Sequence, residues 1–155
     1  MIFCTIGTQA SFDRLIEIVD KLAGEIDEEI IVQTLNGSYK PQNVKTVGLL
    51  SPENFDDIFN RARLIIAHAG MGTIISALER EKPIIIFPRL AKLGEHRNDH
   101  QLATADQMHK LGYVYLAKDA DSIKNFISQQ NISPKQKLNK IASQSLVDEL
   151  HSVIG

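Results

Sequence analysis

The sequence predicts an α/β fold with a doubly wound parallel sheet of the Rossmann-like type. Short apolar runs alternate along the chain with segments whose apolar residues recur at helical spacing. One stretch, residues 64–89, contains a buried strand, a glycine turn, a helix and a second buried strand, which is a βαβ unit. The length of 155 residues suits one domain with a proper core, so we expect a single domain over residues 1–155.

The predicted elements follow one another in a regular order. Strands are predicted at residues 2–6, 30–34, 44–47, 64–67, 84–87 and 113–116. Helices are predicted at residues 12–24, after Ser51, after the turn at 68–73, up to about residue 111, and at 119–130 and 134–154. Ser11 and Ser51 are the predicted N-caps of the first two helices, and Pro52 suits the first position of the second.

The last predicted helix, residues 134–154, has an apolar row. Residues at four-residue spacing form it: Leu138, Ala142, Leu146, Leu150 and Ile154. The row predicts a surface that docks a partner. The alternative is a face that packs on the domain itself, and the spacing does not separate the two.

A glycine turn follows the predicted strand at residues 64–67: His68-Ala69-Gly70-Met71-Gly72-Thr73. Gly70 and Gly72 allow a ligand to approach the backbone without a Cβ in the way. The free N–H groups at the start of the next helix favour an anion, and Thr73 supplies a hydroxyl. The turn therefore predicts a phosphate site with His68 as a donor to a phosphate or sugar oxygen. The alternative is that the glycines serve only turn geometry and that His68 is a packing residue.

A second glycine turn, Gly7-Thr8-Gln9, follows the first predicted strand and is a further candidate for contact with a phosphate. The alternative is that Gly7 only allows a tight turn. The sequence here is not a dinucleotide fingerprint, which needs more glycines and an acidic residue near the end of the next strand. Residues 33–35 are Gln-Thr-Leu, so NAD and FAD are disfavoured.

A polar segment follows the strand at residues 84–87 and the dipeptide Pro88-Arg89. Nearly all its residues ionise or form hydrogen bonds: Gly94, Glu95, His96, Arg97, Asn98, Asp99, His100 and Gln101. Such a cluster suits a sugar, whose hydroxyls need many donors and acceptors. A metal site is the alternative, since His96 and His100 are four residues apart and could share a helix face. An ordinary solvated loop is the third interpretation.

The composition excludes several classes of protein. There are 17 basic and 19 acidic residues with no basic stripe, which argues against nucleic-acid binding. Cys4 is the single cysteine, so neither a disulfide framework nor a cysteine metal site is expected. The N-terminus lacks a signal-peptide pattern and no apolar run is long enough to cross a bilayer. We expect a cytoplasmic protein that contacts a membrane only through a partner or a surface helix.

Three motifs in order resemble the C-terminal, donor-binding domain of the family 28 glycosyltransferases: HAGMGT before a helix, KPIIIFPR, and a polar segment that ends in HQLATA. The opening CTIGTQASFDRLIEIV resembles the soluble catalytic subunit of the two-component UDP-GlcNAc transferase of dolichol-linked oligosaccharide synthesis. GTIISALE and GEHRNDHQLATA resemble the bacterial PssE-type proteins of exopolysaccharide and capsule synthesis. The resemblance covers about residues 1–130.

The resemblance implies the C-terminal half of a GT-B fold, which holds a UDP-sugar and uses no metal or other cofactor. It implies a membrane-associated subunit of PssD type that supplies the acceptor-binding half and recruits the chain to the inner face of the membrane. The implied reaction is transfer of a sugar, with inversion, from the UDP-sugar to a lipid-linked saccharide. The second hypothesis is a non-catalytic nucleotide-sugar-binding or scaffolding subunit.

The donor-binding residues expected from the turns, the polar segment and the resemblance are Gly7, Thr8, His68, Ala69, Gly70, Met71, Gly72, Thr73, Arg89, Glu95, His96, Asp99, His100 and Gln101. Residues 49–51 match the segment whose backbone contacts the uracil. Ser76 stands where many family members carry a glutamate for the ribose, and Glu79 lies one turn later. No residue is a convincing catalytic base. His68 and His96 are the candidates in this chain, and the resemblance points to the partner.

Overall fold

The computed structural model of the chain describes residues 1–8, 10–135 and 148. Within these residues six strands form one sheet in the order β3-β2-β1-β4-β5-β6, and every neighbouring pair is parallel. The strands are β1 (Ile2–Thr5), β2 (Ile30–Gln33), β3 (Lys45–Val47), β4 (Leu64–Ala67), β5 (Ile84–Ile86) and β6 (Tyr115–Leu116). The predicted Rossmann-like, doubly wound sheet is confirmed.

Helices cover both faces of the sheet. They are α1 (Asp13–Ala23), α2 (Pro52–Arg61), α3 (Met71–Glu79), α4 (His100–Lys110) and α5 (Ala120–Ile127), with a 3₁₀ turn at Ala91–Leu93. Because strand side chains alternate between faces, Phe3 packs with α2, α3 and α4 in one core cluster, while Ile2 and Cys4 pack with α1 and α5 in the other. Every helix in the described residues is too short or too polar to cross a membrane.

The boundaries differ from the prediction at a few places. Ser51 caps α2 as predicted, since its Oγ accepts the Asn54 N–H at 3.2 Å. The predicted cap at Ser11 is wrong: α1 begins at Asp13 with Phe12 at the N-cap and no side-chain cap. The predicted helix at residues 134–154 lies outside the described residues, except for its first two positions and residue 148.

The order of the strands locates the site. Chain connections from β1 and β4, the two central strands, run to opposite faces of the sheet, so a crevice opens between their carboxyl ends. This is the topological switch point, where ligands bind in open parallel sheets. Gly7 follows β1 and His68 follows β4, so the fold brings both predicted glycine turns to this crevice.

Candidate functional site

The imidazole of His68 lies between two glycine backbones. Gly7 has a φ of +80°, and a Cβ at this position would lie 2.9 Å from Nε2 of His68. A Cβ at Gly70 would collide with Cε1 of the same ring. Both glycines are therefore needed to seat the histidine. The predicted open approach to a ligand applies to Gly72, where an added Cβ would meet nothing within 4 Å.

The hydrogen-bond network fixes the tautomer of His68. The backbone N–H of Arg89 donates to Oε1 of Gln101 at 3.2 Å, which turns the amide Nε2 of Gln101 toward Nδ1 of His68 at 3.1 Å. Nδ1 therefore accepts, and the ring proton lies on Nε2. Burial and, to a smaller extent, the nearby Arg89 charge lower the pKa of His68 to about 4. At neutral pH His68 is a hydrogen-bond donor and a poor general base.

We expect the free energy of unfolding to fall as the pH drops from about 6.5 to about 4. In this window the unfolded chain binds a proton at residue 68 that the folded chain excludes, so stability is lost as the pH falls; the full effect is ~3 kcal/mol. Urea unfolding of the wild type and of His68→Gln between pH 4.5 and 7.5 measures it. The difference between the two pH slopes isolates His68 from the carboxylates, and equal slopes would contradict the assignment.

Arg89 is a buried cation beneath the β1–α1 turn. The residue is 3% exposed, and its guanidinium donates to the carbonyl oxygens of Ile6 at 2.9 Å, Ala10 at 2.8 Å and Ser11 at 2.7 Å. Burial lowers the pKa of Arg89, but an arginine stays charged in a protein. Arg89 thus holds the turn and places a positive charge below the crevice.

The polar segment is clamped to α1 by one ion pair. Arg14 donates to both carboxylate oxygens of Glu95, at 2.8 and 2.9 Å, and its guanidinium lies 4.4 Å from the centroid of the Phe87 ring. Oε1 of Glu95 also accepts the Leu90 N–H at 3.0 Å. Both oxygens of Glu95 are therefore occupied by the protein, so this residue positions the loop that carries His96.

Helix α3 begins without a side-chain cap at Gly70, so its first-turn N–H groups face the crevice without a side-chain acceptor. Negative charge is stabilised at such a helix start. By contrast, α2 and α5 have their first turns capped by Ser51 and Asp119. His68, Gly72 at the start of α3 and the buried cation Arg89 line the same cleft, an arrangement that favours an anion.

Three adjoining clefts open along this edge of the sheet. The central cleft, ≈ 490 Å³, is lined by Gly7, His68, Gly72, Arg89, His96 and Gln101. The side cleft, ≈ 480 Å³, adds Gln33, Leu50, Phe55, Thr73 and Ser76. The outer cleft, ≈ 790 Å³, is lined by Thr8, Ser11, Thr34, Asn36, Lys40 and Leu49. Thr8 lines all three, and Gly72 lies where the central and side clefts meet.

The structure does not bring every predicted residue to these clefts. Ala69 is buried in the core and Met71 packs against it. Asp99 is exposed and accepts the Ala91 N–H at 3.0 Å, while His100 is exposed at the first position of α4. His96 lies before this helix, so the two histidines do not share a helix face as the metal alternative supposed. Across residues 1–8, 10–135 and 148, no three His, Cys, Asp or Glu side chains form a metal-binding group.

Gln33 is a site residue that the sequence analysis missed. It is 3% exposed at the end of β2, its Oε1 accepts the Thr5 hydroxyl at 2.6 Å, and its Nε2 donates to the Gly48 carbonyl at 3.3 Å. It thereby ties β1 to the loop that leads into Leu50. The signal was present: a polar residue ends an apolar run at the edge where the glycine turns lie.

The fold and the crevice define a class: a Rossmann-like domain with an anion-favouring cleft at the switch point, as in nucleotide-binding and nucleotide-sugar-binding proteins. The chain belongs to the glycosyltransferase family 28 C-terminal domain family, whose model matches residues 1–153. The resemblance given by the glycine turns and the polar segment is thereby confirmed.

Similar curated proteins are named UDP-N-acetylglucosamine transferase subunit ALG13. The protein of Homo sapiens is 29% identical over 125 residues, which are 74% of this chain and 11% of that protein. The protein of Cryptococcus neoformans strain JEC21 is 29% identical over 106 residues, 63% of this chain and 50% of that protein. The protein of Eremothecium gossypii is 22% identical over 149 residues, which are 95% of this chain and 71% of that protein. The chain thus spans about a tenth of the human relative and half of the Cryptococcus one.

Solved structures show the same fold. An NMR solution structure of ALG13 has a TM-score of 0.61 at 21% identity and covers 99% of this chain and 96% of that one. MurG of Acinetobacter baumannii has a TM-score of 0.57 at 16% identity, and the match covers 96% of this chain and 49% of that one. SnogD of Streptomyces nogalater has a TM-score of 0.56 at 19% identity, and the match covers 97% of this chain and 38% of that one. The chain has the fold of the C-terminal half of a GT-B glycosyltransferase.

Proposed function

We propose that this chain is the donor-binding subunit of a two-component glycosyltransferase that moves a sugar from a UDP-sugar to a lipid-linked acceptor. The observation that carries the proposal is the anion-favouring cleft at the switch point, which His68, Gly72 at the start of α3 and the buried cation Arg89 line together. A diphosphate is the anion that such a site neutralises. Family membership and the names of the relatives support sugar transfer as the reaction.

The clefts suggest where each part of the donor binds. We place the diphosphate between Gly7 and Gly72, where the central and side clefts meet. The uridine then fills the side cleft, with Leu50 against the uracil and Ser76 beside the ribose. The transferred sugar fills the central cleft beside His96. Both clefts are of the size that holds small-molecule ligands.

The same groups would assist the departure of UDP. As the bond between the sugar and UDP breaks, negative charge grows on the β-phosphate. Fixed N–H donors in a partly buried site stabilise this charge and keep their own protons. Neutral His68 is such a donor, and Arg89 adds a permanent positive charge below the crevice, so we propose that the step needs no metal ion. The reaction is a displacement that inverts the anomeric carbon.

The acceptor hydroxyl must lose its proton during the transfer. His68 is poorly suited to accept it, because its proton lies on Nε2 and its pKa is held near 4. Nδ1 of His96 is buried and has no hydrogen-bond partner among the described residues, so His96 is the candidate base that this chain retains. A base in the partner subunit is the other source.

The biological setting is proposed from the resemblance alone. GTIISALE and GEHRNDHQLATA favour exopolysaccharide or capsule synthesis, with a membrane-associated partner of PssD type that holds the acceptor at the inner face of the membrane. The word subunit in the names of the relatives supports a partner in general. The competing function is nucleotide-sugar binding without catalysis, and sugar transfer by the reconstituted pair separates the two.

We expect the purified chain to bind UDP in a calorimetric titration, with GDP and NAD binding at least about tenfold more weakly because we place a single pyrimidine nucleoside in the side cleft. The titration is run on the chain alone and on the complex with its partner. UDP binding by either supports the proposal. The absence of UDP binding by both, or equal binding of UDP and NAD, would contradict it.

A further inference from the structure

No part of the UDP-sugar is placed in the outer cleft above, although its volume of ≈ 790 Å³ exceeds that of either cleft assigned to the donor. It shares Thr8 with both of those clefts. Its polar lining consists of Thr8, Ser11, Thr34, Asn36 and Lys40. These side chains provide hydroxyls, an amide and an ammonium. Such a set suits a ligand that carries both hydroxyl groups and negative charge.

The loop that carries Asn36 and Lys40 is fixed to α1 by Asp20. Oδ1 of Asp20 accepts the backbone N–H groups of Gln42 at 3.0 Å and Asn43 at 2.7 Å. Its Oδ2 accepts the hydroxyl of Tyr39 at 2.6 Å. Asp20 is 2% exposed, and a carboxylate is rarely buried unless such partners satisfy it.

Asp13, two turns earlier on the same helix, holds the other end of the loop. Its Oδ2 accepts the Ser38 N–H at 2.9 Å. Gly37 packs so closely on this carboxylate that a Cβ there would collide with Oδ1. Two aspartates of α1 thus hold one wall of the outer cleft at both of its ends. A wall ordered before binding lowers the entropic cost of taking up a ligand.

The outer cleft directly adjoins the central cleft, since Thr8 and Ala10 line both. In the proposed reaction the transferred sugar occupies the central cleft. The acceptor hydroxyl must approach its anomeric carbon to within about 3–3.5 Å before transfer. A ligand in the outer cleft is therefore placed beside the reacting carbon.

We propose that the outer cleft binds the acceptor, and specifically a saccharide that carries a phosphate, with Lys40 on the phosphate and Asn36 on the hydroxyls. No carboxylate of the described residues pairs with Lys40, so its charge is available to a ligand. The inference rests on the proposed function, because the donor sugar defines which neighbouring cleft receives the acceptor. It assigns an acceptor subsite to this chain in addition to any in the partner.

The test is an NMR titration of the full chain, saturated with UDP, against glucose 1-phosphate, methyl glucoside and inorganic phosphate. Glucose 1-phosphate is expected to shift the amide resonances of Thr8 and of residues 34–40. Lys40→Gln is expected to weaken its binding about fivefold or more, because a charge-assisted contact is lost, with UDP affinity unchanged. Lys45→Gln is the matched control: it is an exposed lysine on β3 that does not line the cleft.

Three results would overturn the inference while leaving the proposed function intact. They are shifts confined to His96, Gln101 and the α3 turn, equal binding by Lys40→Gln and the wild type, and binding of inorganic phosphate as tight as that of glucose 1-phosphate. The last result would define a simple anion site. Failure of UDP to bind both the chain and its complex with the partner contradicts the proposed function, and this inference falls with it.

Discussion

Replacing Gly72 with leucine is expected to abolish measurable UDP binding while the protein stays folded. An added Cβ at this position meets nothing within 4 Å, because it points into the open junction of the central and side clefts. A leucine there would occupy the space assigned to the diphosphate. We expect at least about a 100-fold loss of UDP affinity, which corresponds to about 2.7 kcal/mol or more.

The stability of the Gly72→Leu protein should equal or exceed that of the wild type, since leucine favours a helix more than glycine does. Ala120→Leu is the matched control, because it places the same side chain at an exposed position in the first turn of α5, away from all three clefts. Calorimetry gives the UDP affinity and thermal unfolding gives the stability. A folded Gly72→Leu protein that binds UDP normally would show that the diphosphate lies elsewhere.

The two glycines of the α3 turn look alike in the sequence, and only the structure separates them. Gly72 leaves space for a ligand, whereas Gly70 leaves space for the ring of His68. A Gly70→Val variant would therefore displace the histidine, and a loss of UDP binding would not locate the phosphate. The two roles depend on which way the missing Cβ would point, and spacing alone does not encode this direction.

The fold was predictable because its determinants are local. The run Leu64–Ala67 is buried at all four positions, and Ser51 with Pro52 starts α2 as the pattern predicts. The wrong prediction of an N-cap at Ser11 shows the limit of local sequence patterns. The backbone carbonyl of Ser11 accepts from Arg89, 78 residues along the chain, and helix α1 starts later. A contact of this sequence separation overrides a local preference and is invisible in the local sequence.

The parallel topology also explains why two of the candidate residues could be placed from the sequence. His68 and Gly72 lie directly after a strand end or at a helix start, where the parallel topology determines their position. The sequence predicts that Arg89 and Glu95 contact the donor. In the structure Arg89 donates to backbone carbonyls and Glu95 pairs with Arg14. Both residues therefore support the segments that surround the site. Polar character marks such residues as important without showing which partner they have.

Replacing Arg89 with methionine is expected to lower the free energy of unfolding by about 3 kcal/mol or more. The change removes a guanidinium that donates to the carbonyls of Ile6, Ala10 and Ser11 and leaves those acceptors unpaired in a buried position. It also removes the positive charge beneath the crevice. UDP affinity should therefore fall together with stability, as measured by urea unfolding and calorimetry below the unfolding midpoint.

Arg89→Lys separates the two effects, because lysine restores the charge but its single nitrogen cannot reach carbonyls on several sides. We expect it to regain part of the UDP affinity and little of the stability. Arg61→Met is the control: this arginine is exposed and its pair with Asp57 is a surface ion pair, so its loss should change stability by less than about 0.5 kcal/mol. Wild-type stability in Arg89→Met would show that the β1–α1 turn does not depend on the guanidinium. Equal UDP affinity in Arg89→Met and Arg89→Lys would show that the buried charge does not act on the anion.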